Sequence, residues 1–572
     1  MSKINENRMC QNCKGNFVIE PDDFSFYEKI KVPPPTFCPE CRMIRRMVWR
    51  NVRSLYKREC GLCKKVLISM YSDDGAPVYC TDCWSGDNWD PLSYGSDYDF
   101  SKSFFTQLYS LFKVAPRFFV YHTGMLVNSD FTNYSADNKN VYLSYSVISC
   151  EDVMYSESID KSKNCIDCYA VQKLDGCSQN IDSEGNYNVH YAVKSQNSID
   201  SYFIYDCINC QNCCLSSNLR NKQFYFKNQK LSKEEYQQVV INLQLDSCSG
   251  LQRSKEYFDD MMQNQAIHRY AQIYNSQDAT GDYIGNSRNI IQSFDVHDSE
   301  NVKYGARVVV NTKDSMDVYG LGTGELVYES LASSWGTYKV FFSYIALASK
   351  ECEYCFIMRN CSNCFGCVGL TNAKYCIFNK QYTREEYFIM VEKIKKHMDE
   401  MPYTDSKNRV YKYGEFLPYE MSPFGYNETT AHDLYSTTKE KALQSGYKWT
   451  EREKRDYVIT KNSQDLPDSI TDVDDDLVHE TILCPNNGEQ TFQCTSAFKI
   501  TPDELQFYKQ KKLPVPLFCP NCRHYDRLNY RNSMRLYKRT CSNGCGNIFE
   551  STYASDRPEK VYCESCYKKE VL

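Results

Sequence analysis

The sequence predicts a mainly β chain: tandem β-solenoid-like repeat domains flanked by duplicated, metal-held modules at both ends, with few and short helices. Three observations carry this: paired cysteines at the two ends, a self-similar block in the middle, and short apolar runs set off by turn residues. Sixteen of the 31 cysteines lie at the ends. The first module holds Cys10/Cys13, Cys38/Cys41, Cys60/Cys63 and Cys80/Cys83; the last holds Cys484/Cys494, Cys519/Cys522, Cys541/Cys545 and Cys563/Cys566.

The end modules share more than cysteines. CKGNFVIEPDDFSFY from Cys13 answers CTSAFKITPDELQFY from Cys494, and VPPPTFCPECR from Val32 answers LPVPLFCPNCR from Leu513. A C-x-x-C knuckle offers two thiolates at one turn, and two knuckles complete the tetrahedral all-sulfur set that zinc favours. Adjacent C-x-x-C cysteines strain as disulfides, and nothing at Met1 resembles a secretory signal. About four zinc ions in treble-clef or zinc-ribbon modules are therefore expected, with serial and cross-braced knuckle pairing both open. The third site departs from the pattern. Thr491 aligns with Cys10, and the replacement Cys484 lies upstream across a Gly-containing insertion, so this site is expected to be the weakest, distorted or empty.

At 572 residues the chain exceeds one core. The expected order is a double zinc module (1–95), a docking helix (96–117), a β-solenoid domain with capping helix (118–245) and a linker helix (246–270). A second β-solenoid domain with capping helix (271–400), an extended linker (401–480) and a second double zinc module (481–572) follow. In the docking segment Phe104, Phe105, Leu108, Leu111 and Phe112 recur at helical spacing, a face suited to seating the first module on the first β-domain. No apolar run reaches the roughly 18 residues of a membrane span, so a soluble, cytoplasmic protein with reduced thiols is expected.

Between the modules, strand-like pieces such as NVYLSYS, DVMYSES and NVHYAVKS alternate with Asn, Asp, Ser or Gly. The block recurs: NCSNCFGCVGLTNAKYCIFNKQYTREEY matches NCQNCCLSSNLRNKQFYFKNQKLSKEEY at an offset of 151. Two sister domains follow, each ending in a helix with a capping box, Ser232 with Glu235 and Thr383 with Glu386. Parallel coils would stack Val, Ile, Tyr and Cys inside and leave Asn, Asp and Ser at the corners. An all-antiparallel arrangement is the alternative. The central cysteines, including Cys361, Cys364 and Cys367, read as buried packing, since free Cys is small and apolar; a cluster site is the alternative reading of their spacing. A Thr437-x-x-Glu440 box and Gly446 mark one short helix in the linker.

Each CPxC pair precedes a basic stretch, RMIRRMVWRNVRSLYKREC after Cys41 and RHYDRLNYRNSMRLYKRTC after Cys522. Arg42, Arg46, Trp49, Arg50, Lys57 and Arg58 correspond to Arg523, Arg527, Tyr530, Arg531, Lys538 and Arg539. Arginines beside a stackable ring suit phosphates and bases, so RNA or DNA is the expected partner; the competing role for these cations is to neutralise the thiolates beside them. The net charge of −6 argues against wholesale nucleic-acid coating. No catalytic constellation stands out, and only 8 histidines are present. The function read from sequence is thus a non-enzymatic zinc adaptor. The alternatives are a protein scaffold without nucleic-acid binding, or a carbohydrate enzyme using acidic residues such as Asp298, Glu300, Asp314 and Asp317. Oligomeric state stays open.

Across nearly the whole chain, the arrangement of CPECR, LYKREC, VYCTDCW, WDPLSYGSDYDFSKSFF, NCFGCVGL, NKQYTREEY, SPFGYNET and LPVPLFCPNCR resembles a group of uncharacterised zinc-ribbon proteins of candidate-phylum bacteria. The resemblance implies a stand-alone bacterial cytoplasmic protein and supplies no substrate, partner or catalytic residue.

Overall fold

The computed structural model describes residues 5–451 and 457–572; the start of the expected first module, 1–4, and residues 452–456 of the expected linker lie outside them. The chain is mainly β, with 35% strand and 25% helix. It divides into two compact units: Met1–Val120 with Ala271–Thr450, and Tyr121–Tyr270 with Glu451–Leu572. Each unit joins one cysteine module to the β-domain from the other half of the sequence. The helix Phe104–Val114 follows this division. Its Phe104 packs on Tyr354, Phe365 and Phe378, and its Phe112 on Phe356, so it seats on the second β-domain rather than the first.

In the β-domain of the second unit, strands between His122 and Phe226 pair in parallel, and the register advances by 12 residues per coil: Tyr145 faces Glu157, which faces Tyr169, and a second column runs Tyr187, Ile199, Gln211 and Gln223. The β-domain of the first unit repeats this between Ile273 and Ile377, as in the column Tyr338, Lys350, Ser362 and Lys374. Antiparallel pairing enters only where each stack ends, at Gln229–Lys230 and Lys380–Gln381.

A period of three underlies the coil. From Tyr134 to Lys227 every third residue has positive φ, Asn140, Leu143, Ser146, Ser149 and Asp152 among them. Left-handed backbone is costly for a residue with a Cβ, so the surroundings must compensate at each corner. Up to Leu219 the residue after each such corner points inward and is buried: Val141, Ser144, Val147, Cys150, Val153, Ser156, Ile159, Ser162, Cys165 and Cys168 in succession. Four triplets make one 12-residue coil. Ser144 Oγ accepts the Ser156 N–H one coil on and donates to the Tyr142 carbonyl; Ser156 does the same for Cys168 and Met154. The Cys150 thiol takes the same two bonds, from Ser162 N–H and to the Ile148 carbonyl. Serine therefore lies inside the stack as well as at expected corners such as Ser146 and Ser149, because the bend leaves backbone groups that a short polar side chain must pair. Asparagine and aspartate keep the expected corners and form outer ladders, Asn128 to Asn140 to Asp152. The larger tyrosines, such as Tyr155 and Tyr169, are buried outside the coil interior, under the packed elements.

Both capping boxes form. Ser232 and Glu235 open the helix Lys233–Leu243, and Thr383 and Glu386 open Arg384–Glu400; each helix packs on the last parallel strand of its stack. The linker helix spans Cys248–Asp260, continues as a π turn to Gln265, and gives way to the strand Ile267–Arg269 paired with Lys560–Tyr562. Residues 403–450 are not an extended linker: Tyr411, Phe416, Leu417, Tyr419 and Ala431 are core residues of the first unit. The short helix there, Lys439–Gln444, is capped by Thr438 rather than Thr437.

The corner-capping role makes a sharp prediction. Ser195 accepts the Cys207 N–H, so Ser195→Val should orphan that amide at a cost of about 1–3 kcal/mol, whereas Cys207→Ser should be nearly neutral. Hydrogen exchange at the Cys207 amide and denaturant midpoints of the intact chain check both.

Candidate metal centres

Four tetrathiol clusters assemble from consecutive knuckles: Cys10, Cys13, Cys38 and Cys41; Cys60, Cys63, Cys80 and Cys83; Cys484, Cys494, Cys519 and Cys522; Cys541, Cys545, Cys563 and Cys566. Pairing is serial, not cross-braced. In each, the ligand atoms lie within 4.8 Å of one another. Measured edges are 3.8 Å for Cys13–Cys38 and Cys63–Cys80, 3.9 Å for Cys494–Cys519 and 3.7 Å for Cys545–Cys563. Four thiolates around one zinc at about 2.3 Å span a tetrahedron with edges of about 3.8 Å, so the thiols fit that ion.

The local chain explains this geometry. The first knuckle is the turn between strands Glu6–Met9 and Asn16–Ile19, closed by Lys14 at φ 61° with its N–H on the Cys10 carbonyl. The second knuckle is a helix start: Cys38 is the N-cap of Pro39–Met47 and Cys41 lies in its first turn, with Pro39 at a position where a missing N–H costs nothing. The N-cap amide then donates to the first cysteine, Cys38 N–H to Cys10 Sγ at 3.3 Å, and the other clusters repeat it with Cys80 to Cys60, Cys519 to Cys484 and Cys563 to Cys541. Such donors favour thiolate. At Cys60 burial pushes the thiol up, but the N–H groups of Cys63, Cys80 and Leu62 bring it down to about 6.

The third cluster is complete, contrary to its expected weakness. Cys484 is the structural counterpart of Cys10: it receives the same amide, and Asn486 donates to Cys522 Sγ at 3.2 Å as Asn12 does to Cys41. Residues 485–493 merely enlarge the knuckle, and Thr491 bonds Glu489 instead of standing in for a ligand. The central cysteines take another role. In C-x-x-C-x-x-C at Cys361 the spacing is that of the coil triplet, and each thiol donates to a carbonyl two residues back, as with Cys361 to Arg359 and Cys367 to Phe365.

The basic helices face inward, which corrects the nucleic-acid assignment of these residues. In the first unit Arg42 bonds Asp317 at 2.9 Å, and Arg46 contacts Glu329 at 2.8 Å and Asp317 at 3.2 Å. Arg45, which sequence reasoning passed over, bridges Glu329 and Glu415 at 2.8 and 2.7 Å. All these side chains are at most 5% exposed. Trp49 is buried among Phe112, Phe356 and Phe416, and Arg50 lies over Tyr319. The second unit matches: Arg523 and Arg527 share Asp167 at 2.9 and 2.7 Å, Arg531 bonds Asp182 at 2.9 Å and lies over Tyr169, and Tyr530 donates to Asp259. Arg58 and Arg539 tie their hairpins to backbone carbonyls of Ser72 and Ala76, and of Ala554 and Glu559. Of the twelve residues only Lys57 and Lys538 are exposed. A guanidinium held by buried carboxylates cannot reach a phosphate.

The sugar-groove carboxylates are dispersed. Asp317 belongs to the buried arginine network and Asp314 accepts from Lys29 and Asn301, while Asp298 and Glu300 line an open polar trough of about 990 Å³ with Asn286, Arg288 and Lys313. No family model matches the chain, and no curated protein matches it. A solved structure described as an acetyltransferase from Desulfovibrio desulfuricans G20 aligns over 51% of this chain and 86% of its own at 9% identity, with a TM-score of 0.10 that carries no argument. Among the described residues no helix is long and apolar enough to cross a membrane.

Two outcomes follow. Elemental analysis with thiol titration should find close to four zinc ions per chain, and Cys484→Ser should remove one; fewer than two in the wild-type chain contradicts the assignment. Glu329→Gln leaves Arg45 and Arg46 short of a buried counter-ion and should destabilise the first unit by about 3–5 kcal/mol, read by denaturant unfolding through Trp49 fluorescence.

Proposed function

We propose that this chain is a non-enzymatic, zinc-stapled scaffold for protein assembly, in which each module binds two zinc ions and clamps a β-solenoid frame. The observation that carries the reading is the matched docking of module on β-domain inside each unit: the cations that would serve a nucleic-acid binder are consumed internally twice, on equivalent buried carboxylates. The 12-residue parallel register supports the solenoid description, and rigid frames of this kind present extended surfaces to partners. None of the 31 cysteines is paired in a disulfide, and sixteen of them gather as thiols fit for metal, which supports a reducing compartment such as the cytoplasm.

Zinc-loaded protein titrated against mixed RNA and DNA pools at low ionic strength should show no salt-sensitive binding. Capture from native-host extract should return a defined protein partner that survives nuclease treatment. Nucleic-acid binding that Lys57→Ala with Lys538→Ala abolishes while the fold stays intact overturns the scaffold reading.

A further inference from the structure

The four clusters differ in one respect that bears on their chemistry. In three of them the second cysteine of the first knuckle is exposed: Cys13, Cys63 and Cys545. The sulfur of each of these exposed residues lies 3.7–3.8 Å from the helix N-cap thiol of its own cluster, Cys38, Cys80 or Cys563. The third cluster has the same pair, Cys494 and Cys519 at 3.9 Å, yet all four of its thiols are buried. The enlarged knuckle accounts for this. Residues 485–493 fold back through Cys494 N–H on the Glu489 carbonyl, Asn521 ties down the Gln493 carbonyl, and Phe492 packs against the apolar cluster that contains Cys494.

The first and third clusters also hold the docking helices. Cys38 caps the helix that carries Arg42, Arg45 and Arg46, and Cys519 caps the helix that carries Arg523 and Arg527.

We propose that the chain is an asymmetric oxidation-sensitive device: peroxide opens the first, second and fourth clusters and undocks the amino-terminal module from its β-domain, while the shielded third cluster keeps the second unit clamped. This rests on the zinc occupancy argued above. In the first cluster the exposed Cys13 thiolate attacks one peroxide oxygen, forming a sulfenic acid and releasing the other oxygen as hydroxide or alkoxide. The Cys38 thiolate then attacks that sulfur, the Cys13–Cys38 disulfide forms, hydroxide leaves, and the oxygens are protonated to water or alcohol. Two electrons pass from the thiolates to the peroxide, and zinc departs with half its ligands lost. A disulfide on Cys38 removes the metal that holds the docking helix at its N-cap, and the buried arginines and the carboxylates of Asp317, Glu329 and Glu415 become accessible together.

The test uses the full zinc-loaded chain treated with hydrogen peroxide in the presence of a zinc-binding dye, with alkylation mapping of each cysteine. Three zinc ions should appear in a fast phase and the fourth in a slow one. Cys13–Cys38, Cys63–Cys80 and Cys545–Cys563 should be found as disulfides while Cys484, Cys494, Cys519 and Cys522 remain reducible thiols. Trp49 emission should shift to the red in the fast phase, because every tryptophan of the chain belongs to the first unit. Replacing 485–493 by Gln-Asn, which restores the knuckle of Cys10–Cys13, should move the fourth zinc into the fast phase. Four zinc ions leaving together from the wild-type chain, or the third cluster oxidising first, overturns the proposal even if the replacement fails to fold. A purified chain that carries no zinc defeats the zinc reading itself, a different failure.

Discussion

The structure depends on a buried arginine–carboxylate contact made twice, at the point where a cysteine-capped helix meets the side of a β stack. Removing guanidinium and carboxylate from water costs several kcal/mol per ion, and only good geometry with every proton engaged offsets it. Arg42, Arg45 and Arg46 engage three carboxylates and a backbone carbonyl, leaving the Nε of Arg45 and of Arg46 without a hydrogen-bond partner, and planar guanidinium groups make such bridging feasible where lysine would not. The contact is unforgiving. A helix shifted by one turn would strand charges in the interior, so the cluster that fixes the helix start also fixes which residues of the β-domain it meets.

Cysteine serves two unrelated physical ends in this chain, and the difference lies in what surrounds the thiol. At the ends, turn and helix amides point at sulfur and stabilise thiolate, so four sulfurs converge on a point where a cation fits. In the stacks, the same atom donates to a carbonyl and accepts an amide from the next coil, alternating freely with serine; burial there pushes the thiol up, as at Cys150, to about 12. A neutral thiol suits a stack and a thiolate suits a metal.

Much of this was legible in the sequence. The duplicated modules, the four cysteine sets, the sister β-domains and both helix caps rest on local signals that tertiary context does not override. The triplet was written there as well, as small residues at every third position from Val141 onward, but it was hidden by the C-x-x-C motif, whose spacing is also three. The burial of the arginines was not legible, because their partners are remote: Asp317 and Glu329 lie more than 270 residues away, and nothing local distinguishes an inward cation from one facing solvent. The same remoteness hid the exchange of partners between halves. The third cluster was misjudged because a repeat alignment favours contiguity, whereas a knuckle tolerates an insertion if its first and last residues keep their amide donors.

The exchange of partners has a physical reason in one pair of differences between the repeats. Arg42, Arg46 and Arg50 have arginine counterparts, and Asp317 and Tyr319 correspond to Asp167 and Tyr169, so either module matches either β-domain in those contacts. Arg45, however, corresponds to Asp526, and Glu329 to Gln179 at the same register one coil after the shared aspartate. Placed on the first β-domain, the amino-terminal module would bury Arg45 without its carboxylate. Placed on the second, the carboxy-terminal module would set Asp526 toward Glu329, carboxylate against carboxylate. Both mismatches are costly in a dry interface, while the observed pairings join Arg45 to Glu329 and leave Asp526 half-exposed near Lys255. One charge reversal between the modules and one charge loss between the β-domains are thus enough to assign each module its frame, and the repulsive combination excludes the wrong one as firmly as the ion pair favours the right one.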